Sequence, residues 1–255
     1  MEGRIASMYR HPVKGLSPEP LARAELKPGG YFPGDRLFAV ENGPSGFDAG
    51  APAHQPKVKF LMLMRNARLA ALRTRFEDAT ATLRVERGGR EVVRADLASP
   101  EGRRAVETFL RDYMADELHG PPRMLAAPEG FRFTDSRRGF VSLINLASVA
   151  AIERAVGKPV NPLRFRANVY VAGLPAWAEF DLVGKAAILG QARLKITQRI
   201  VRCAATNVDP DLGVRDLAIP ELLMRAFGHT ECGVYAEVVQ GGSIAVGDRL
   251  QADGI

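Results

Sequence analysis

The sequence predicts a mainly β protein, a β-barrel accompanied by a few helices. Three observations predict it. Short runs of β-branched and apolar residues recur along the whole chain, glycine and proline (25 and 17 of 255 residues) separate them at close intervals, and sustained helical spacing is confined to a few segments. A barrel is favoured over an open sheet because closure removes exposed strand edges.

Residues 4–11 read as a strand ended by Pro12, which has no amide hydrogen to give a ladder. Val13-Lys14-Gly15 follows, and a lysine beside a glycine at a strand exit brings a charge and an open backbone amide to one point, which suits an anion. After a strand at 22–26, Gly29, Gly30, Pro33 and Gly34 make a turn that feeds a strand at 37–40 and projects Arg36 from a fixed position. Residues 42–56, with Pro44, Gly46, Gly50, Pro52 and Pro56, are the most loop-like interval, and either link or cover a site. Residues 60–64, Phe-Leu-Met-Leu-Met, read as a buried element. Residues 69–76 fit helix or strand, and 80–87 with 90–97 flank Gly88-Gly89 as a hairpin.

Ser99, Pro100 and Glu101 form a helix start, and Val106, Phe109, Leu110, Tyr113 and Met114 then repeat at helical spacing, giving a helix that joins two halves. Gly120-Pro121-Pro122 ends it. Strands at 124–127 and 140–143 precede a helix that starts at Asn145 or Ser148 and runs to 156. Ser142, Asn145 and Ser148 cap that helix, or offer hydroxyl and amide groups to a phosphate at its N-terminus. Residues 161–171 read as a strand with Arg164, Arg166 and Asn168 on one face and Phe165, Ala167 and Val169 on the other. Two guanidinium forks and an amide in line suit an oxyanion, or make a solvated strand face. Strands at 186–189 and 193–201, a helix at 217–227 ending at Gly228, a strand at 233–239, a Gly241-Gly242 turn and a closing strand complete the chain.

At 46% hydrophobic the chain can bury a sizeable core, in one large domain or two modest ones. Its 35 basic against 29 acidic residues give a formal charge of +6 and a pI near 9.6, suited to an anionic ligand, an acidic partner protein or nucleic acid. The basic residues are scattered, and no helix-turn-helix, finger or aromatic RNA-binding signature accompanies them, which argues against nucleic acid. No run reaches transmembrane length and no signal-peptide core opens the chain, so a cytoplasmic protein without a membrane partner is expected. Rossmann, phosphate-loop, nucleophile-elbow and zinc-protease motifs are absent, and His11, His54, His119 and His229 lack ligand spacing.

The two cysteines make neither a disulfide framework nor a zinc knuckle. Cys203 lies between an apolar strand and a turn built by Asn207, Asp209, Pro210 and Gly213, where a side chain can meet a ligand. Thiolate is the metal-binding form of cysteine, and the neighbouring Arg199 and Arg202 bring positive charge toward it. Cys203 is therefore a candidate soft ligand, the alternative being a small buried hydrophobe. Cys232, just ahead of the strand at 233–239, has no comparable charges and reads as structural.

Taken in order, Tyr9-Arg10-His11-Pro12-Val13-Lys14-Gly15, Gly34-Asp35-Arg36, Arg164-Phe165-Arg166-Ala167-Asn168, Arg202-Cys203 with Thr206 and Val208-Asp209-Pro210, and Gly247-Asp248 give the chain its resemblance to the MOSC family. That domain is named after the C-terminal part of eukaryotic molybdenum cofactor sulfurase. The likeness covers nearly the whole chain, and its first segment resembles the β-barrel extension that precedes MOSC domains in the mitochondrial amidoxime-reducing components and bacterial relatives. The resemblance implies an N-terminal MOSC-associated β domain over 1–98, a connecting helix over 99–120 and a MOSC domain over 121–255. It also implies a molybdenum cofactor (molybdopterin) whose metal takes two dithiolene sulfurs and one protein thiolate, by position Cys203, which is then both metal ligand and catalytic residue.

By the same resemblance Lys14, Gly15, Arg36, Ser142, Arg164, Arg166 and Asn168 hold the pterin and its phosphate. The implied reaction is two-electron reduction of a small N-hydroxylated or N-oxygenated compound. No cysteine-rich ferredoxin module follows residue 255, so electrons are expected from an external donor such as an acidic ferredoxin or flavodoxin and its reductase. The chain departs from the family at Ala167, where proline is common, and at Leu182, where an aromatic is frequent. A persulfide sulfur carrier working through Cys203 is the second reading, and a non-enzymatic basic barrel that binds nucleic acid or stores cofactor is the third.

Overall fold

The computed structural model describes residues 2–136 and 141–252. The described strands and helices, in order, are β1 (Glu2–Arg10), β2 (Glu19–Leu21), β3 (Arg23–Leu26), β4 (Phe38–Asn42), β5 (Leu72–Glu77), β6 (Thr82–Arg87), β7 (Arg90–Asp96), α1 (Pro100–Tyr113), β8 (Pro122–Ala126), β9 (Val141–Asn145), α2 (Leu146–Val156), β10 (Val169–Ala172), β11 (Ala186–Leu189), β12 (Ala192–Val201), α3 (Ile219–Phe227), β13 (Glu231–Gln240), β14 (Gly242–Ala245) and β15 (Arg249–Ala252). Phe140, which opens one expected strand, lies outside the described residues.

Seven strands close into a barrel in the order β1, β10, β9, β13, β12, β11, β15 and back to β1, with β2 laid beside β1. Neighbours are antiparallel except β9 and β10, which run parallel. A parallel pair needs a crossover, and α2 supplies it. The barrel is filled by the inward side of this alternation, including Ile5, Met8, Leu143, Val171, Leu194, Ile196 and Val234. Close approach is required at Gly233, where a Cβ would stand 2.3 Å from the Leu143 carbonyl oxygen, so β13 lies against β9 only because that side chain is missing.

A second core belongs to the first half. The β5–β6–β7 meander and the β4–β8 pair bury Val40, Leu72, Leu83, Val85 and Met124 in one core with Val106 and Leu110 of α1. The Ser99 hydroxyl accepts from the Gly102 amide at 3.0 Å, as the helix-start pattern predicts. Packed on β7 and β8, α1 is part of this core. The barrel takes β1 from the first ten residues and its other strands from Val141 onward, so sheet membership does not follow chain order.

Other readings meet the structure with local adjustments. Residues 69–76 are both alternatives in succession, a 3-10 turn at Ala67–Ala71 and then β5. Cys232 lies inside β13, one residue after its start. Asn145, not Ser148, caps α2, accepting from the Ala147 amide at 3.0 Å, and α3 ends at a left-handed Gly228. The strand read over 161–171 is corrected: Pro162–Phe165 is a 3-10 turn, Arg166 is left-handed, and only Val169–Ala172 pairs. Asn161 and Pro162 cause this, since the Asn161 side chain accepts from the Leu163 amide at 3.0 Å and proline suits a first helical turn. No described helix is long and apolar enough to cross a membrane.

Candidate functional site

A cavity of about 220 Å³ is lined from both parts of the protein, and all eight residues singled out from sequence reach it. Lys14 and Gly15 enter where Pro12 has ended β1 and the Lys14 amide donates to the Phe38 carbonyl at 2.8 Å. Gly15 has φ +84°, and a Cβ there would press on the Leu61 carbonyl oxygen at 3.0 Å, so the position favours glycine twice over. The Lys14 ammonium is buried, donating to the Phe133 carbonyl at 3.0 Å and to the Asp135 carboxylate. Burial lowers its pKa below the ordinary lysine value, with Asp135 opposing the shift.

Arg36 is left-handed, and its amide donates to the His11 carbonyl at 2.7 Å. Its guanidinium is held by the Asp35 carboxylate and the Arg166 carbonyl. Asp35 also accepts the His11 amide at 2.7 Å. Burial alone would raise the Asp35 pKa, but Arg36 and His11 outweigh it and hold this carboxyl well below the usual range. Arg166 is different. It forms no ion pair among the described residues, its buried Nη2 has no hydrogen-bond partner, and burial with the charge of Arg36 pulls it from 12.5 down to about 10. A desolvated cation without a carboxylate of its own is a seat for an anion.

Arg164, also expected to grip an anion, is otherwise engaged. Both of its terminal nitrogens lie 2.8 Å from oxygens of Asp216, and Nη2 reaches Asp209 at 3.1 Å. Its fork clamps the loop that follows Cys203. Asp209 makes the turn expected of it, accepting the amides of Asp211 and Leu212 at 2.8 Å each. Ser142 and Asn168 are bound to one another: Asn168 Oδ1 accepts from the Ser142 hydroxyl at 2.8 Å and its amide at 3.1 Å, and the Ser142 hydroxyl accepts the Asn168 amide at 3.0 Å. Ser142 therefore neither caps α2 nor holds a free hydroxyl.

Cys203 lies just past β12 and opens a 3-10 turn, its carbonyl accepting from the Thr206 amide at 3.0 Å and hydroxyl at 2.9 Å. The cation brought to its sulfur is Lys57, whose Nζ is 3.7 Å away. The flanking arginines have found desolvated partners instead. Arg202 donates to the carbonyls of Cys232 at 2.8 Å and Phe165 at 3.0 Å, and Arg199 sits 4.4 Å over the Phe180 ring. Cys232 is fully buried and its thiol is pushed up to about 12 by burial, in keeping with a structural role.

Residues 130–251 match the MOSC domain, and residues 2–117 match the MOSC N-terminal beta barrel domain. The chain belongs to the MOSC family. Among curated relatives, Mitochondrial amidoxime reducing component 2 of Bos taurus is 28% identical over 124 residues, covering 43% of this chain and 36% of the relative. This MOSC protein therefore matches about a third of that relative's length. Among solved structures, the YuaD protein of Bacillus subtilis is 14% identical at TM-score 0.46, covering 99% of this chain and 96% of that one. YiiM of Geobacillus stearothermophilus is 21% identical at TM-score 0.36, covering 45% and 54%.

MOSC domains are associated with molybdenum cofactor binding, and the residues present fit such a group. Cys203 offers a soft donor, Arg166 an unpaired buried charge, and Lys14 and Arg36 further positive charge. Among the described residues no three His, Cys, Asp or Glu side chains cluster as metal ligands, so a metal on Cys203 would take its remaining ligands from the bound group. Sequence reasoning missed three residues here. Lys57 directly follows the 42–56 loop, at the start of a 3-10 turn, and carries no signal of its own. Asp135 carried none, and its carboxyl is held near 2 because Lys14 and Lys57 outweigh the upward pull of burial. His11 lacks ligand spacing, yet it is fully buried beside Arg166 with its Nδ1 3.4 Å from Asp35 Oδ1.

Proposed function

We propose that this MOSC protein is a molybdenum-cofactor-dependent reductase of small N-hydroxylated or N-oxygenated compounds, with Cys203 as the protein ligand to the metal. The observation that carries the reading is the meeting of the Cys203 sulfur with basic side chains from remote segments at one cavity. The bound cofactor would supply the two-electron redox change, in which two electrons and two protons turn an N-hydroxyl group into N–H and water. The chain's own part is binding and orientation. Arg166 and Arg36 receive the anionic group, Gly15 lets the backbone come close, and Arg164 fixes the loop behind Cys203. Ser142 and Asn168 stiffen the wall against β1 through the Asn168 amide and the Tyr9 carbonyl, 3.3 Å apart.

Electrons would come from a separate acidic ferredoxin or flavodoxin with its reductase, a partner class that the formal charge of +6 favours. The test is molybdenum and pterin analysis of protein expressed in a cofactor-competent host, with Cys203→Ser alongside. Equal molybdenum and pterin in the parent, and loss of molybdenum from a variant that still melts normally, are the expected results. Parent protein free of both would sink the reading. Cyanide-releasable sulfur on Cys203 in metal-free protein would assign the persulfide carrier instead.

A further inference from the structure

The charges on one wall of the cavity form a chain of alternating sign. Lys14 donates to Asp135 Oδ1, and Lys57 Nζ lies 3.9 Å from Asp135 Oδ2 and 3.7 Å from Cys203 Sγ. Lys14 is 7% exposed, whereas the Asp135 side chain is 49% exposed. The buried partner is thus a fixed cation, and the half-exposed one an anion reaching in from the rim. His54 of the 42–56 loop also meets this rim, its Nε2 standing 3.3 Å from the Asp135 carbonyl oxygen. A desolvated ammonium needs an anion, and a single carboxylate serves both lysines here.

We propose that Asp135 is an internal stand-in for the ligand's anionic group, which must swing off Lys14 and Lys57 before a phosphate-bearing ligand seats. The proposal rests on the cofactor-binding reading and deepens it, by naming the residue that sets how tightly the site takes an anion. Two like charges within a few ångströms of the same pair of lysines repel strongly in a partly desolvated site, so they do not share it. The exchange conserves the pairing of Lys14 and Lys57, and so favours a ligand carrying more charge than one carboxylate. Acid does not perform the exchange at ordinary pH, because Asp135 stays ionised down to about pH 2.

The test titrates inorganic phosphate into cofactor-free full-length protein by calorimetry at low ionic strength, comparing the parent with Asp135→Asn and Lys14→Met. Asp135→Asn is expected to bind phosphate about tenfold more tightly than the parent, and Lys14→Met more weakly. Equal or weaker binding by Asp135→Asn, or no binding by either, overturns the proposal, because Asp135 would then be a permanent counter-ion that keeps Lys14 charged. A crystal structure of the unaltered chain in saturating pyrophosphate gives a check that needs no variant. The Asp135 carboxylate should be out of hydrogen-bonding reach of Lys14 Nζ, and its persistence on Lys14 beside the bound anion refutes the exchange. Molybdenum and pterin content separates the two readings: protein that carries both while Asp135→Asn leaves phosphate affinity unchanged loses only this inference.

Discussion

Lys57 Nζ stands 3.7 Å from Cys203 Sγ although 146 positions separate the two residues. The contact gives the thiol just past β12 a cation from the turn that follows the 42–56 loop, and it distinguishes Cys203 from Cys232. In metal-free protein, iodoacetamide is expected to label Cys203 and leave Cys232 untouched, because the second thiol is fully buried and pushed up to about 12. Lys57→Met should slow labelling of Cys203 severalfold, since it removes the cation in contact with the sulfur. Intact-mass time courses measure both, and an unchanged rate in the variant would mark the contact as incidental.

Arg166 should trade stability for binding. Its guanidinium is buried with Nη2 unpartnered, and the fold carries the cost of that desolvation until an anion arrives. Arg166→Met keeps the bulk and removes the charge. The ligand-free variant is expected to gain about 1 kcal/mol, a rise of about 2–4 °C in melting temperature for a chain of this size, while phosphate binding falls at least tenfold. A variant that is both less stable and still binds phosphate would remove Arg166 from the anion seat.

Asn168 should behave in the opposite way. Its side chain accepts twice from Ser142 and donates to the Tyr9 carbonyl, tying the loop before β10 to β9 and β1. Asn168→Ala leaves the buried Ser142 amide without its side-chain acceptor, and is expected to cost about 2–3 kcal/mol by denaturant unfolding. Ser142→Ala removes one hydroxyl from the same pair and should cost less. Equal small effects from both would mean the pair adds little to the wall.

The parts of this fold that are legible in the sequence are those written in local periodicity and local chemistry. Alternation from Arg193 to Val201 marks β12, which extends by one residue to Ala192, and Ser99-Pro100 marks the start of α1. Closure of the barrel was readable only as a preference, because the β1–β10 and β1–β15 pairings join residues from opposite ends of the chain. The site was legible as residue types but not as geometry. A two-residue period places Arg164 and Arg166 together, whereas the Asn161 cap and the left-handed Arg166 separate them, and Arg164 finds its carboxylates 45 and 52 positions away. Lys57 and Asp135 belong to no local pattern, and only packing brings them to the cavity.

His11 sets an acid limit on the fold. Burial, with the charge of Arg166, lowers its pKa from 6.5 to about 3, so the folded protein keeps it neutral where the unfolded chain would charge it. The stability tied to this neutral ring is complete above pH 6.5 and is lost as pH falls from there toward about 3. Unfolding free energy should therefore drop across this window with a slope of up to about 1.4 kcal/mol per pH unit from this group. His11→Leu is expected to flatten that part of the profile. An unaltered profile in a folded variant would place the acid sensitivity on other groups.

Glu179 should produce the reverse dependence at a second buried position. Its carboxylate sits in the barrel region, accepting from Asn145 Nδ2 at 2.9 Å and from the Ser148 hydroxyl at 2.8 Å. No salt-bridge partner reaches it among the described residues. Burial raises its pKa above the ordinary 4.5, with these hydrogen bonds recovering only part of the shift. The folded state thus holds the proton more tightly than the unfolded chain, and the resulting stability is full below pH 4.5 and lost as pH rises through the raised value. Glu179→Gln keeps an acceptor for Asn145 and carries no charge to desolvate. The variant's stability relative to the parent is expected to improve steadily from pH 4 to pH 7, in urea unfolding at matched ionic strength. A constant difference between the two proteins across that range would mean that Glu179 titrates alike in both states, and that its hydrogen bonds from Asn145 and Ser148 fully offset the cost of burial.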